Sequence, residues 1–236
     1  MYKDKKEVWN SIGQYYWETW DTKAKKNLSA KEMAFIKKFM GGSRTFMDIG
    51  VGPGRILGFL SENTPEDSII MGLDQAVEMI EYCRDKFANE SKVKQLEPCD
   101  ISRDEIPFPG SFDCITAIRV LKYNANWMHL IEKIGEKLSP NGTLIFTMPN
   151  RFSINRFSKM ECRQYFTSFK RLRDILMILG FRDIIMRGFT KLPGVFYELA
   201  RGDRPAAMLN DSEKLFETLL GECVFSRYIF IKCSRD

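Results

Sequence analysis

Short apolar runs alternate along the chain with stretches in which apolar residues return every three or four positions. This is the pattern of buried strands separated by amphipathic helices. The first run, 45–49, passes through three alternate glycines, Gly50, Gly52 and Gly54, and continues into Ile56, Leu57, Phe59 and Leu60 at helical spacing. Further strands are predicted at 68–74, 93–96, 112–120, 143–148, 184–189 and 227–233, with helices at 75–89, 126–138 and before Gly180. Upstream, Ser29-Ala-Lys-Glu32 fits a capping box that opens a helix carrying Met33, Ile36, Phe39 and Met40 and ending at Gly41-Gly42. Trp9, Ile12, Tyr16 and Trp20 recur as one face of a still earlier helix. That face either packs on the domain or lies over a site, with Tyr15 or Tyr16 touching ligand. The segment 191–224, between the last two strands, carries Pro193, Pro205 and a helix near 212–220.

Composition narrows the classes. The 236 residues, 44% apolar, suffice for one α/β domain with a sizeable core. The opening Met-Tyr-Lys-Asp-Lys-Lys-Glu is too charged for a signal peptide, and no apolar run approaches the length of a membrane span. Six scattered cysteines without a C-x-x-C read as thiols in a reducing cytoplasm, and one histidine with no clustered ligands argues against a metal. Net charge is +5, but 151–204 alone holds twelve Lys/Arg against five Asp/Glu. That segment is either a solvated basic face or a surface that attracts an acidic substrate or partner.

The chemistry sits at the glycines. A backbone that turns sharply against a ligand has no room for a Cβ, and the helix that follows points free N–H groups into the turn. Dinucleotides and S-adenosylmethionine are both held by such units. The dinucleotide fingerprint G-x-G-x-x-G fails here, because Arg55 stands where the third glycine belongs. Asp74 closes the second strand about twenty residues beyond the glycines, where a carboxylate can accept both hydroxyls of a ribose or merely cap the next helix.

Asp48-Ile-Gly-Val-Gly-Pro-Gly resembles the D/E-x-G-x-G-x-G loop of class I S-adenosylmethionine-dependent methyltransferases. In the same order come Asp74, the Asp100-Ile101 pair, the Ile-Pro-Phe-Pro-Gly-Ser-Phe-Asp113 run and the Leu138-Ser-Pro-Asn-Gly142 turn, covering about 44–150. The resemblance implies a Rossmann-like three-layer α/β/α sandwich, its seven-stranded, mostly parallel sheet carrying one antiparallel strand. It implies a single domain over 1–236, with a helical cap at 1–42, a cofactor core at 44–150 and an acceptor-side insertion at 191–224. It also implies S-adenosylmethionine as cofactor. Asp48, Gly50 and Gly52 would hold the methionine end, Asp74 with Gln75 the ribose, Asp100 and Ile101 the adenine, and Arg119 the reacting end, with Tyr15 reaching in from the cap.

The expected activity is methyl transfer to a small molecule in the cytoplasm, an acidic one if the basic segment attracts it. An RNA or protein acceptor and a non-catalytic cofactor-binding partner are the alternatives. The Asn/Asp-Pro-Pro-Tyr/Phe loop of amide and base methylases is absent: Ile118-Arg-Val-Leu-Lys-Tyr stands there instead. No catalytic base is evident. His129 falls on the solvent side of its helix, and Arg119, Lys122, Tyr123, Asn124, Asn150 and Arg151 are the polar residues at the strand ends.

Overall fold

The computed structural model describes residues 8–9, 22–158, 162–221 and 225–235. Seven strands form one sheet: β1 (Thr45–Ile49), β2 (Ile69–Asp74), β3 (Val93–Pro98), β4 (Phe112–Ala117), β5 (Leu138–Pro149), β6 (Arg182–Phe189) and β7 (Tyr228–Ser234). Their order is β3-β2-β1-β4-β5-β7-β6. Every pairing among β1 to β5 is parallel, while β7 runs antiparallel to both β5 and β6. The mostly parallel sheet with one antiparallel strand is therefore as expected.

Alternation within the strands builds the layers, since neighbouring side chains leave opposite faces. Phe46, Ile70, Cys114 and Phe230 pack with helices α1 (Lys23–Phe39), α2 (Arg55–Asn63) and α3 (Val77–Lys86) through Phe35, Ile36, Leu57, Leu60 and Ile80. Met47, Ile115, Phe146 and Ile231 pack on the other face with α4 (Trp127–Gly135) and α5 (Phe169–Ile178) through Trp127, Leu130, Ile131, Leu172 and Leu176. A third, small cluster joins Ala24 of α1 to Tyr197, Ala206 and Leu209 of α6 (Gly194–Leu199) and α7 (Asp203–Leu220). The starts of β1 and β4 are also latched by side chains. Asp113 Oδ2 accepts the Arg44 and Thr45 N–H groups at 2.8 and 3.0 Å, and Thr45 Oγ1 accepts the Asp113 N–H at 2.9 Å.

Two sequence expectations need correction. The helix before β1 does not start at Ser29: it starts after Thr22, whose hydroxyl accepts the Lys25 N–H. Ser29 and Glu32 lie inside it, and their side chains serve Arg55 and Arg119 rather than a cap. The insertion holds two helices, and the longer one begins at Asp203, nine residues earlier than the pattern suggested. Pro205 falls in its first turn, where the missing N–H costs no intrahelical bond.

Candidate functional site

The strand order reverses between β1 and β4, and a cavity of about 310 Å³ opens there at the C-terminal ends of β1, β2 and β4. Its wall includes Gly50, Gly52, Asp74, Gln75, Asp100, Ile101 and Arg119. Seven of the nine residues singled out in the sequence thus come together on one surface. Tyr15 lies outside the described residues. Asp48 is not on the wall.

The glycine loop is shaped by backbone demands and by one carboxylate. Gly50 and Gly52 have φ of 74° and 49°, and Gly54, at the head of α2, has φ of 76°, all in the left-handed region. A Cβ on Gly50 would stand 2.2 Å from Val120 Cγ2, so the loop and the segment after β4 touch. Asp74 Oδ2 accepts the Gly52 N–H and Oδ1 accepts the Ala76 N–H, each at 2.9 Å. The ribose and capping readings of Asp74 are therefore compatible: it caps the turn before α3, pins the loop and still faces the cavity. Burial raises its pKa, and the Ala76, Gly52 and Gln75 N–H groups oppose that rise.

Asp48 lies behind the loop at 1% exposure. Thr116 Oγ1 donates to its Oδ1 at 2.6 Å, while Oδ2 has no hydrogen-bond partner. Desolvation drives its pKa up to about 7, against the Thr116 bond and the Arg55 charge, with the nearby Asp74 adding to the rise. A cation arriving in the cavity would favour its ionised form. Asp100 occupies the turn after β3, its Oδ1 accepting the Ser102 N–H and hydroxyl at 3.0 and 2.6 Å.

Glu32 escaped the sequence reading. It is fully buried and pairs with two arginines of the cavity wall, Arg55 at 2.8 Å and Arg119. Arg55 also donates to Ser29 Oγ at 2.8 Å. The residue that breaks the dinucleotide fingerprint is thus anchored to α1. Arg119 adopts φ of 67°, held by the Thr147 hydroxyl, which accepts its N–H at 2.7 Å. Only proximity in the fold reveals Glu32, since its partners lie 23 and 87 positions downstream.

Of the other strand-end candidates, Tyr123 and Asn124 reach the wall, whereas Lys122, Asn150 and Arg151 do not. Trp9 reaches it as well and meets Tyr123 edge-on at 5.5 Å between ring centres. Lys122 is buried and donates to the Tyr228 hydroxyl at 2.9 Å. His129 is exposed beside Glu132, away from the site. Among the described residues no group of three or more His, Cys, Asp or Glu is placed to hold a metal ion. No described helix is long and apolar enough to cross a membrane.

Residues 47–144 match a family model described as a methyltransferase domain. The fold agrees. The segment 47–144 is thus a methyltransferase domain of the class I S-adenosylmethionine-dependent type. Magnesium protoporphyrin IX methyltransferase from Synechocystis, solved with bound S-adenosylhomocysteine, superposes with a TM-score of 0.66 at 13% identity over 98% of both chains. A methyltransferase from Archaeoglobus fulgidus gives 0.63 at 18% identity over 89% of this chain and 94% of that one. The N-methyltransferase NodS of Bradyrhizobium japonicum gives 0.65 at 12% identity over 99% of each. At such identities the likeness is one of fold. An uncharacterized 37.1 kDa protein in transposon TN4556 of Streptomyces fradiae is 31% identical over 105 residues, 44% of this chain but 30% of that relative.

The site residues fit the family's cofactor on the structure's own terms. The loop is open at Gly52, where nothing crowds a Cβ. Asp74 faces the cavity, and Asp48 holds an orphaned buried oxygen beneath the loop.

Proposed function

We propose that the chain transfers a methyl group from S-adenosylmethionine to a small-molecule acceptor in the cytoplasm. The observation that carries this reading is the glycine loop, pinned by Asp74 and lining a cavity at the switch in strand order. Asp74 and Gln75 would hold the ribose, Asp100 and Ile101 the adenine, and Gly50 and Gly52 the backbone path of the methionine end. Tyr15 would add a contact from the N-terminal side. Bound there, the cofactor supplies a methyl group on a sulfonium that is already activated for in-line displacement.

The protein's own work is then positioning and exclusion of water. Arg119, Tyr123 and Asn124 face the reacting end and orient the acceptor's nucleophile. Trp9 and Tyr123 cover the mouth with apolar surface. Arg55 and Arg119, fixed by Glu32, set the local potential. In this reading the chain is one unit, with 1–42 as its cap and 191–224 shaping the acceptor side.

Methyl-labelled S-adenosylmethionine, incubated with the purified protein and an extract of its source cells, tests the proposal. Label in the small-molecule fraction, lost with Asp74→Ala, is expected. Label in precipitated RNA or protein would replace the small-molecule reading, and cofactor binding with no labelled product in any fraction would indicate a regulatory partner.

A further inference from the structure

Beyond Arg119, at the end of the sheet where β7 begins, the cations among the described residues outnumber the carboxylates ion-paired to them. Tyr228, the first residue of β7, is 6% exposed and packed between three of them. Lys122 Nζ donates to its hydroxyl at 2.9 Å, and the Arg119 and Arg227 guanidiniums stand 5.2 and 5.4 Å from its ring centre. Lys25 of α1 lies within electrostatic reach of Arg227 and Arg119. Burial lowers its pKa and the charges of Arg227 and Arg119 lower it further, against Glu198. The acids described nearby are Glu32, which pairs with Arg119, Glu198, 4.0 Å from Lys25 with its side chain 65% exposed, and Glu213, which is buried and accepts the Tyr197 hydroxyl and the Lys191 and Leu192 N–H groups. No described carboxylate forms an ion pair with Lys122 or Arg227. Burial pushes the Tyr228 phenol up, yet Lys122, Arg227 and Arg119 outweigh it and hold the group at about 7, while burial and the two arginine charges lower the Lys122 ammonium against the pull of Tyr228.

The place is roofed by the elements least shared with the cofactor core. Gly194, which opens α6, lies against Arg227: a Cβ there would be 2.7 Å from Nη1. The Thr22 hydroxyl donates to the Tyr197 carbonyl at 3.0 Å, so the start of α1 is tied to α6. Arg119 joins the two regions, since it lines the cavity and also covers Tyr228. A half-buried cluster of like charges is costly unless an anion completes it.

We propose that Lys25, Arg119, Lys122 and Arg227 form an oxyanion subsite that takes the carboxylate or phosphate of the methyl acceptor. The proposal rests on the methyltransferase reading for the word acceptor, but the subsite itself does not. An acceptor anchored there presents its remaining atoms past Arg119 towards Tyr123 and the cavity. Its negative charge competes with the ionised phenol for the same cations, so anion binding and phenol ionisation oppose each other.

Inorganic phosphate and benzoate, titrated calorimetrically into the purified protein at constant ionic strength, distinguish the two oxyanion types. One of them is expected to bind, and to bind about tenfold more weakly to Arg227→Gln and to Lys25→Gln. The pH midpoint of the wild-type-minus-Tyr228→Phe phenolate absorbance should rise when that anion is added. Binding of neither anion, or equal binding to wild type and both variants, overturns the proposal. In the labelling experiment the methylated compound should be retained on an anion-exchange resin, and label confined to unretained compounds also overturns it. Absence of label in every fraction counts against the methyltransferase reading alone, because the anion titrations stand without it.

Discussion

Replacing Asp48 with asparagine should make the protein more stable at alkaline pH, by an amount that grows as pH rises. The carboxyl is fully buried with one oxygen unpartnered, and its pKa lies near 7 against an ordinary 3.8. Below pH 3.8 it is neutral in both folded and unfolded chains and costs nothing. As pH rises from there towards 7, the unfolded chain sheds the proton while the folded protein keeps it, and folding loses free energy. By pH 8 the accumulated loss is about 4 kcal/mol, the difference between the two pKa values at about 1.36 kcal/mol each. The asparagine would keep an acceptor for the Thr116 hydroxyl but would bring a buried NH₂ with no partner, at about 1–3 kcal/mol. The net gain should therefore be about 1–3 kcal/mol at about pH 8, falling to zero or reversing at about pH 4–5. Urea unfolding of both proteins from about pH 4 to about pH 8.5 measures it. A stability difference that stays flat across that range would refute the argument, whatever its size.

Other substitutions follow from the same geometry. Gly50→Ala places a Cβ 2.2 Å from Val120 Cγ2 at φ of 74°, and should cost about 2–4 kcal/mol in thermal unfolding. Val120→Ala in the same chain should recover only the steric part. Glu32→Gln leaves two arginines facing each other across a buried amide, and should lower stability by about 3 kcal/mol in denaturant titrations. Burial pushes the Cys83 and Cys114 thiols up to about 12, so neither should react with a thiol reagent at about pH 8 until the protein is unfolded.

What could be read from the sequence was what depends on near neighbours in the chain. The glycine loop, Asp74 and the succession of strands and helices carry their own signals, because backbone φ, strand-end position and apolar periodicity are local properties; the arrangement of the strands in the sheet came from the family resemblance. The same locality misled at Ser29 and Glu32. A serine three residues before a glutamate looks like a cap, and nothing nearby announces that the glutamate is buried between two distant arginines. Tyr228 likewise looks like an ordinary strand residue until the fold sets it against Lys122, 106 positions away. Asp48 was placed with the ligand contacts by its motif, yet the strand turns its side chain towards Thr116 and away from the cavity wall.

The central claim is that this cavity holds S-adenosylmethionine, and equilibrium binding of S-adenosylhomocysteine tests it most directly. Calorimetric titration of the purified protein, beside Gly50→Ala/Val120→Ala and Asp74→Ala, should give saturable one-to-one binding that both variants weaken by about tenfold or more. No binding to the wild-type protein, or binding that survives unchanged in both variants, would contradict the account.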